Sequence, residues 1–407
     1  MASILTEIHA ASAVYRDFIE RASTNAGPAD RLALFGYRTG VLESEVVKPL
    51  VLWLLDPTQS RLPDEQVHKG LGVVESWMVR RMLLRATTKN YNQVFEELIV
   101  ALRTGDRLKA GDTIERFFAD QSSGSRYWPD DAEVRAEIAV LPAYRRIGRG
   151  RLRMVLEAIE DELRGWKGGK AGLGGERVPR DKYSIEHVMP RKWQKHWPLP
   201  PGGTEADRDQ WVHTFGNLTL LTGKLNGKLS NGPWIGEDGK RHALQQHDVL
   251  LLNRKLVTAH PTDWSETTIR ERTQEMIDAI LAIWPVPAGH RSAFQPEPRV
   301  VHRRVELADL IAAGVLTAGA TLWPRARKHS HRSATVLVDG QIDVDGVLFQ
   351  SPSEAAKALS GGPMNGWWFF LVDRETKKSL KTVRREYLDQ LQEADDEVDS
   401  DDEDDDG

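Results

Sequence analysis

Three short stretches decide the reading of this chain: YSIEHVMP at 183–190, FGNLTLLT at 215–222 and KLNGKLSN at 224–231. The first is a β-prone run stopped by Pro190, and the second, rich in β-branched and apolar residues, predicts another strand. The third opens a helical or turn-rich piece. The order is therefore a strand ending in Glu186-His187, a loop, a strand entered through Asn217, and a segment carrying Asn226. These residue types suit one chemistry. Hydrolysing a phosphodiester needs a base to activate water and a divalent ion to neutralise charge on the phosphate and leaving oxygen. A histidine at a strand end takes a proton from water near neutral pH. The residue beside it points the other way, so Glu186 can turn to a metal while the His187 imidazole faces the water. Asn226, nine residues beyond Asn217, can return an amide oxygen to the same ion. Hard oxygen ligands favour Mg²⁺ or Mn²⁺ over zinc. The competing reading of His187 is a satisfied core histidine.

Upstream, residues 1–165 read as an all-helical bundle. Apolar residues recur at helical spacing through Ile4, Ile8, Ala11, Val14 and Phe18, and again through Leu50, Leu54, Val73, Trp77 and Leu83. Residues 166–182, WKGGKAGLGGERVPRDK, read as a glycine-rich loop or linker. A strong helix is expected from Asp263, with Ile269, Met276, Ile280 and Ile283 on one buried face and Pro285 at its end. A proline-rich connector over 285–304 leads to a compact α+β pattern. There LADLIA is a helix and ATLWP a strand. Further strands follow around turns at Asp339-Gly340 and Asp345-Gly346, SPSEAAKALSG is a helix capped by Ser351 or Ser353, and GWWFFLVD is a final strand.

Composition bounds the rest. The 407 residues include no cysteine, which excludes disulfides, Cys-ligated zinc, iron–sulfur clusters and thiol catalysis, and fits a cytoplasmic protein. No apolar run approaches a membrane span. The net charge of −5 hides a contrast: the stretch EADDEVDSDDEDDDG at 393–407 holds 11 acids, and without it 49 acids face 55 bases, about +6. A basic body with an acidic tail suits a nucleic-acid binder, the tail being either disordered and solubilising or autoinhibitory. One basic group, Arg145, Arg146, Arg149, Arg151 and Arg153, either binds a phosphate backbone or pairs with acids such as Glu157 and Asp161. His196, His213, His242 and His247 read as surface or packing residues.

The IEHVMP…FGNLTLL…LN…SN pattern resembles the ββα-metal (His-Asn-His/Asn, HNH) nucleases, specifically the nuclease portion of GmrSD-type, modification-dependent (type IV) restriction enzymes. Trp264, Ile269, Arg272 and Trp284-Pro285 match that family's distal helix, and the resemblance covers roughly residues 1–287. It implies His187 as general base, Glu186 and Asn226 as metal ligands, and Asn217 as the residue that holds the loop so that His187 is oriented. Asn231 is a supporting candidate, and Lys224 and Lys228 contact the scissile phosphate or are solvated helix charges. Family enzymes often carry, in the same chain or as a separate subunit, an NTP-using ParB/sulfiredoxin-like domain with an Asp-Gly-Gln-Gln-Arg signature; this sequence has no such string, so either that partner is a separate subunit, the chain is truncated, or the nuclease needs no nucleotide.

Residues 303–373 resemble the RAMA domain, a module of restriction and adenine-methylation systems associated with sensing modified DNA. Its expected DNA contacts are Arg325, Arg327, Lys328 and Arg332 in a cationic loop. Strand alternation would send one of Trp367 and Trp368 to the core and the other to the opposite face, with Trp367 as the candidate for base stacking. The expected fold class is α+β: helical bundle 1–165, HNH-like ββα-metal domain 166–287, linker 288–302, RAMA-like domain 303–390 and disordered acidic tail 391–407. The expected function is a metal-dependent endonuclease of a bacterial restriction or anti-phage system, cleaving modified double-stranded DNA. The alternatives are a catalytically degenerate DNA-binding subunit and an HNH ribonuclease.

Overall fold

In a computed structural model the described residues are 2–23, 30–166, 176–180, 183–200, 203–222, 232–237, 239–246, 249–292, 306–362 and 364–387. The chain divides into two compact units, Met1–Pro296 and Glu297–Gly407, and mixes helices with small sheets. No described helix is long and apolar enough to cross a membrane.

Up to residue 163 the described elements are helical: α1 (Ala2–Ala22), α2 (Arg31–Val41), α3 (Lys48–Leu54), α4 (Asp64–Leu83), α5 (Tyr91–Thr104), α6 (Ala110–Ala119), α7 (Asp131–Val140), α8 (Ala143–Arg146) and α9 (Arg149–Leu163). Side chains fix their starts. Asp30 accepts from Ala33 N at 2.7 Å to open α2, and Asp130 and Glu133 form a reciprocal capping box on α7. The core of this part gathers around Trp77, whose ring lies 4.6 Å from both Tyr91 and Phe118. The apolar stripe expected on α1 is only partly used: Phe18 is buried, whereas Leu5 and Ile8 are exposed.

Strands β1 (Tyr183–His187) and β2 (Leu218–Thr222) pair antiparallel, with His187 opposite Leu218 and Glu186 opposite Thr219. Helix α10 (Glu205–Val212) and a 3-10 turn at Phe215–Asn217 lie between them in sequence. After β2 come α11 (Lys240–Gln246), α12 (Leu251–Ala259) and α13 (Glu266–Ile283). In α13, Thr268 Oγ1 accepts from Ser265 N at 2.8 Å, and Ile269, Met276 and Ile280 are buried, following the expected face. One apolar cluster draws on α7, α9, both strands and α13, so residues on either side of 165 share a core. A second surrounds Trp193, Trp197, Trp234 and Trp264.

The glycine-rich segment differs from a solvated linker where it is described. Val178, Arg177 and Arg180 are buried, with Val178 N donating to Asp161 Oδ1 at 3.0 Å and Arg180 paired to Asp161 and Glu157. Glu157 and Asp161 thus both pair with Arg180. Arg151 instead meets Glu43 at 3.2 Å.

The second unit holds α14 (Leu307–Ala312), β3 (Thr321–Pro324), β4 (Ala334–Val336), β5 (Ile342–Val344), β6 (Val347–Phe349), α15 (Pro352–Ser360), α16 (Gly366–Phe369) and β7 (Phe370–Leu371). Its antiparallel sheet runs β6-β5-β4-β3-β7. Left-handed Gly340 and Gly346 make the turns, Ser351 Oγ accepts from Glu354 N at 3.3 Å to cap α15, and Gly361 ends it at φ 78°. The expected strand over GWWFFLVD is a correction. Asn365 Oδ1 accepts from Trp368 N, so Gly366–Phe369 coil into a helical turn and only Phe370–Leu371 join the sheet. Gly366 is required there, since a Cβ would lie 1.9 Å from Pro352 O. The acidic tail, like Asn226, Asn231, Lys224 and Lys228, lies outside the described residues.

Candidate active site

The loop entering β2 is fixed by polar bonds to its own side chains and to α13. Asn217 is fully buried. Its Oδ1 accepts from Met189 N at 2.7 Å and Trp264 Nε1 at 2.9 Å, while Nδ2 donates to Met189 O and Val212 O, each at 2.8 Å. All of the amide's hydrogen-bonding capacity thus holds the turn after His187 against the loop before β2. Gly216 cannot carry a side chain, because a Cβ would stand 2.0 Å from Ile269 O, and its N–H donates to Thr273 Oγ1 at 3.1 Å. Arg272 donates through Nη1 to Gly216 O at 2.6 Å and Leu218 O at 2.8 Å. Burial lowers its pKa to about 10, and its Nη2 has no partner among the described residues.

His187 closes β1 at 5% exposure. Its Nε2 is 3.3 Å from His213 Nδ1, and the two rings meet edge to face. The Tyr144 ring lies 4.2 Å from His187 and 5.9 Å from His213, with the Arg149 guanidinium 3.3 Å over the tyrosine. Burial, followed by His213 and the charges of Arg191, Lys240 and Arg149, pushes His187 down to about 3. Burial and Arg145 lead the shift of His213 to about 4, partly opposed by Asp209. Both imidazoles are therefore neutral at neutral pH. Arg145 and Arg191 are exposed and have no carboxylate partner among the described residues.

Glu186 leaves the strand on the other side. Its Oε1 accepts from Lys240 Nζ at 2.9 Å, and the same ammonium donates to His187 O at 2.6 Å. Burial lowers the pKa of Lys240, while the Glu186 charge opposes that shift. Glu186 Oε2 has no hydrogen-bond partner among the described residues. The described residues contain no group of three His, Asp or Glu side chains poised for a metal. At the end of β1, Glu186 offers a hard cation one open carboxylate oxygen.

The structure thus brings Glu186, His187 and Asn217 into one neighbourhood. Sequence reasoning missed three further members: His213, Tyr144 and Lys240. His213 does pack, as expected, but its packing partner is His187. Its position four residues before Asn217 was the available signal. Tyr144 and Lys240 reach the site by tertiary folding and carry no local signal.

In the second unit, the Arg325 guanidinium lies 4.8 Å over Trp368, Lys328 is exposed and Arg332 pairs with Asp345. The side chain of Arg327 lies outside the description. Trp367 is half-buried against the core with Arg384 above it, whereas Trp368 is 49% exposed. Trp368, not Trp367, is the side chain open to solvent.

Comparison with known families follows the same division. Residues 128–279 match the family model for the C-terminal domain of GmrSD restriction endonucleases, and residues 288–393 match that for RAMA, Restriction Enzyme Adenine Methylase Associated. The two matches together are the pairing that the resemblance implied. No curated protein matches the chain.

Proposed function

We propose that this chain, in which a GmrSD endonuclease C-terminal domain precedes a RAMA domain, is a metal-dependent DNA endonuclease of a restriction system, with an HNH-type ββα-metal core and an N-terminal helical bundle. The observation that carries the reading is the fixing of the turn after His187 by Asn217, beside Arg145 and Arg191, which no carboxylate among the described residues neutralises. His187 is the general base and Asn217 the residue that positions it. Neutral at rest, the imidazole has an open site for a proton. Burial is the first cause of a pKa near 3, which makes the resting imidazole a weak base; an incoming phosphodiester would offset only the smaller contributions of Arg191 and Arg149. His213 holds the ring from the other side.

Glu186 Oε2 and, beyond the described residues, Asn226 would hold Mg²⁺ or Mn²⁺. When bound, the ion supplies charge neutralisation on the phosphate and leaving oxygen. Lys240 pins the other Glu186 oxygen and the His187 carbonyl, which keeps the last two residues of β1 in place. Lys224 and Lys228 are proposed phosphate contacts. Arg325, Arg327, Lys328 and Arg332 would position the C-terminal unit on modified double-stranded DNA, with the exposed Trp368 as the stacking residue in place of Trp367. A separate NTP-using subunit of the ParB/sulfiredoxin-like type is the proposed protein partner, and the setting is a bacterial cytoplasm defended against phage.

The burial of His187 favours one competing reading, a degenerate site that binds DNA without cutting it. Incubating the full chain with matched modified and unmodified plasmid, an RNA transcript and Mg²⁺ or Mn²⁺ separates the possibilities. Nicking of DNA supports the proposal, binding without nicking supports the degenerate subunit, and cutting of RNA alone supports a ribonuclease.

A further inference from the structure

A trough of about 1030 Å³ lies in the first unit, between the ends of α2 and α4 and the starts of α5 and α9. Two exposed cations on its wall, Lys89 and Arg146, have no carboxylate partner among the described residues. Two more, Arg85 and Arg151, are held at the wall by Glu137 and Glu43 at 2.7 and 3.2 Å. The acids lining the trough are Glu43 and Glu45, and each is already paired, Glu43 with Arg151 and Glu45 with Lys48. Asn90, Asn92 and Gln93 add side-chain amides, and Met78 and Met82 an apolar floor. Glu43, Arg85 and Asn90 all adopt left-handed backbone at φ 58°, 54° and 75°. None is glycine, so each conformation costs energy that the surrounding fold must offset.

The trough and the candidate active site share one segment. Tyr144 and Arg149 face the His187–His213 pair, while Arg146, Gly148 and Arg151 line the trough. Tyr144 and Arg146 are two residues apart, so their Cα atoms are separated by roughly 5–7 Å. The near wall of the trough thus adjoins the segment that faces His187.

We infer that this trough takes the sugar–phosphate backbone of the DNA strand flanking the reacting phosphate. The inference rests on the nuclease reading and adds a track for the strand beyond its centre. Unpaired cations attract the phosphates, the amides supply donors and acceptors for sugar and base edges, and an open trough of this size suits a run of nucleotides rather than one small ligand.

The test uses the full chain in EDTA, with binding of a long fluorescent duplex followed across a salt series. Lys89→Glu with Arg146→Glu is compared with wild type, and melting temperatures check the fold, since both side chains are exposed. The expected result is a loss of affinity of tenfold or more, with a log–log salt slope shallower by about two, one for each lost phosphate contact. Lys89→Gln with Arg146→Gln should fall between. Unchanged affinity and slope in the reversed variant would overturn the inference and leave the nuclease reading standing. Failure of wild type to bind the duplex even at low salt would overturn both.

Discussion

Trp284, at the end of α13, donates its indole N–H to Glu75 of α4 at 2.7 Å, joining residues 209 positions apart in a fully buried contact. The Arg38 guanidinium lies 5.1 Å over the same indole, and Arg80 and Ser76 donate to the Trp284 carbonyl. Glu75 also receives Arg31 at 2.7 Å and Arg38. A buried carboxylate thus ties the last helix of the candidate endonuclease domain to the N-terminal helices. Glu75→Gln keeps the shape but leaves two guanidiniums unneutralised, and should destabilise the first unit by about 3–5 kcal/mol in urea unfolding. A change under about 1 kcal/mol would show that the network contributes little.

That network has a pH signature. Burial alone would raise the Glu75 carboxyl, but Arg31 and Arg38 overcome it and hold the group at about 2, against an unfolded value of 4.5. A depressed carboxyl stabilises above the unfolded value and loses that contribution as pH falls toward the folded one. Between pH 4.5 and 2 the wild-type unfolding midpoint should therefore drop more steeply than that of Glu75→Gln. Parallel curves would contradict the assignment.

The histidine pair acts in a higher window. With folded values of about 3 and 4 for His187 and His213, the unfolded chain binds more protons from about pH 6.5 downward. Stability from the neutral pair is complete above pH 6.5 and declines as pH falls through that interval. His213→Gln removes one of the two groups and should flatten the dependence between pH 6.5 and 4. An unaltered slope would mean that His213 is protonated in the fold.

Asn217 gives the clearest mutational contrast at the site. Asn217→Leu strands Met189 N, Met189 O and Trp264 Nε1 in a dry interior, a loss of roughly 2–4 kcal/mol. Asn217→Asp retains the acceptor for Met189 N but loses the donors to Met189 O and Val212 O. If Asn217 positions His187, cleavage should fall at least 100-fold in the Asp variant even under conditions where it is folded by circular dichroism. Full activity there would remove Asn217 from the mechanism.

In the second unit, Trp367 and Trp368 should separate cleanly. Trp367→Ala removes half-buried core packing and should cost about 2 kcal/mol of stability, whereas Trp368→Ala should leave stability nearly unchanged and weaken binding to modified duplex. The reverse pattern would place the stacking role on Trp367.

Much of this organisation was legible in the sequence because it is local. β-prone composition and the stop at Pro190 gave β1 and β2, the Ile269–Met276–Ile280 spacing gave α13, and Ser351, Gly340 and Gly361 mark caps and turns. GWWFFLVD misled because its aromatic composition favours a strand, while one cap from Asn365 outweighs that preference over a single turn. The partners of His187 were hidden for a different reason. Lys240 comes from 53 residues away and Tyr144 from a different helix, and no spacing rule connects them. Arg180 reached Glu157 and Asp161 by the same tertiary route.

The central claim, that His187 activates water at this site, is tested most directly by nicking of supercoiled plasmid in Mg²⁺ or Mn²⁺ by wild type and His187→Ala, with duplex binding measured in parallel. The account predicts nicking by wild type, a fall to background in the variant and retained duplex binding. Equal nicking by both proteins would contradict it.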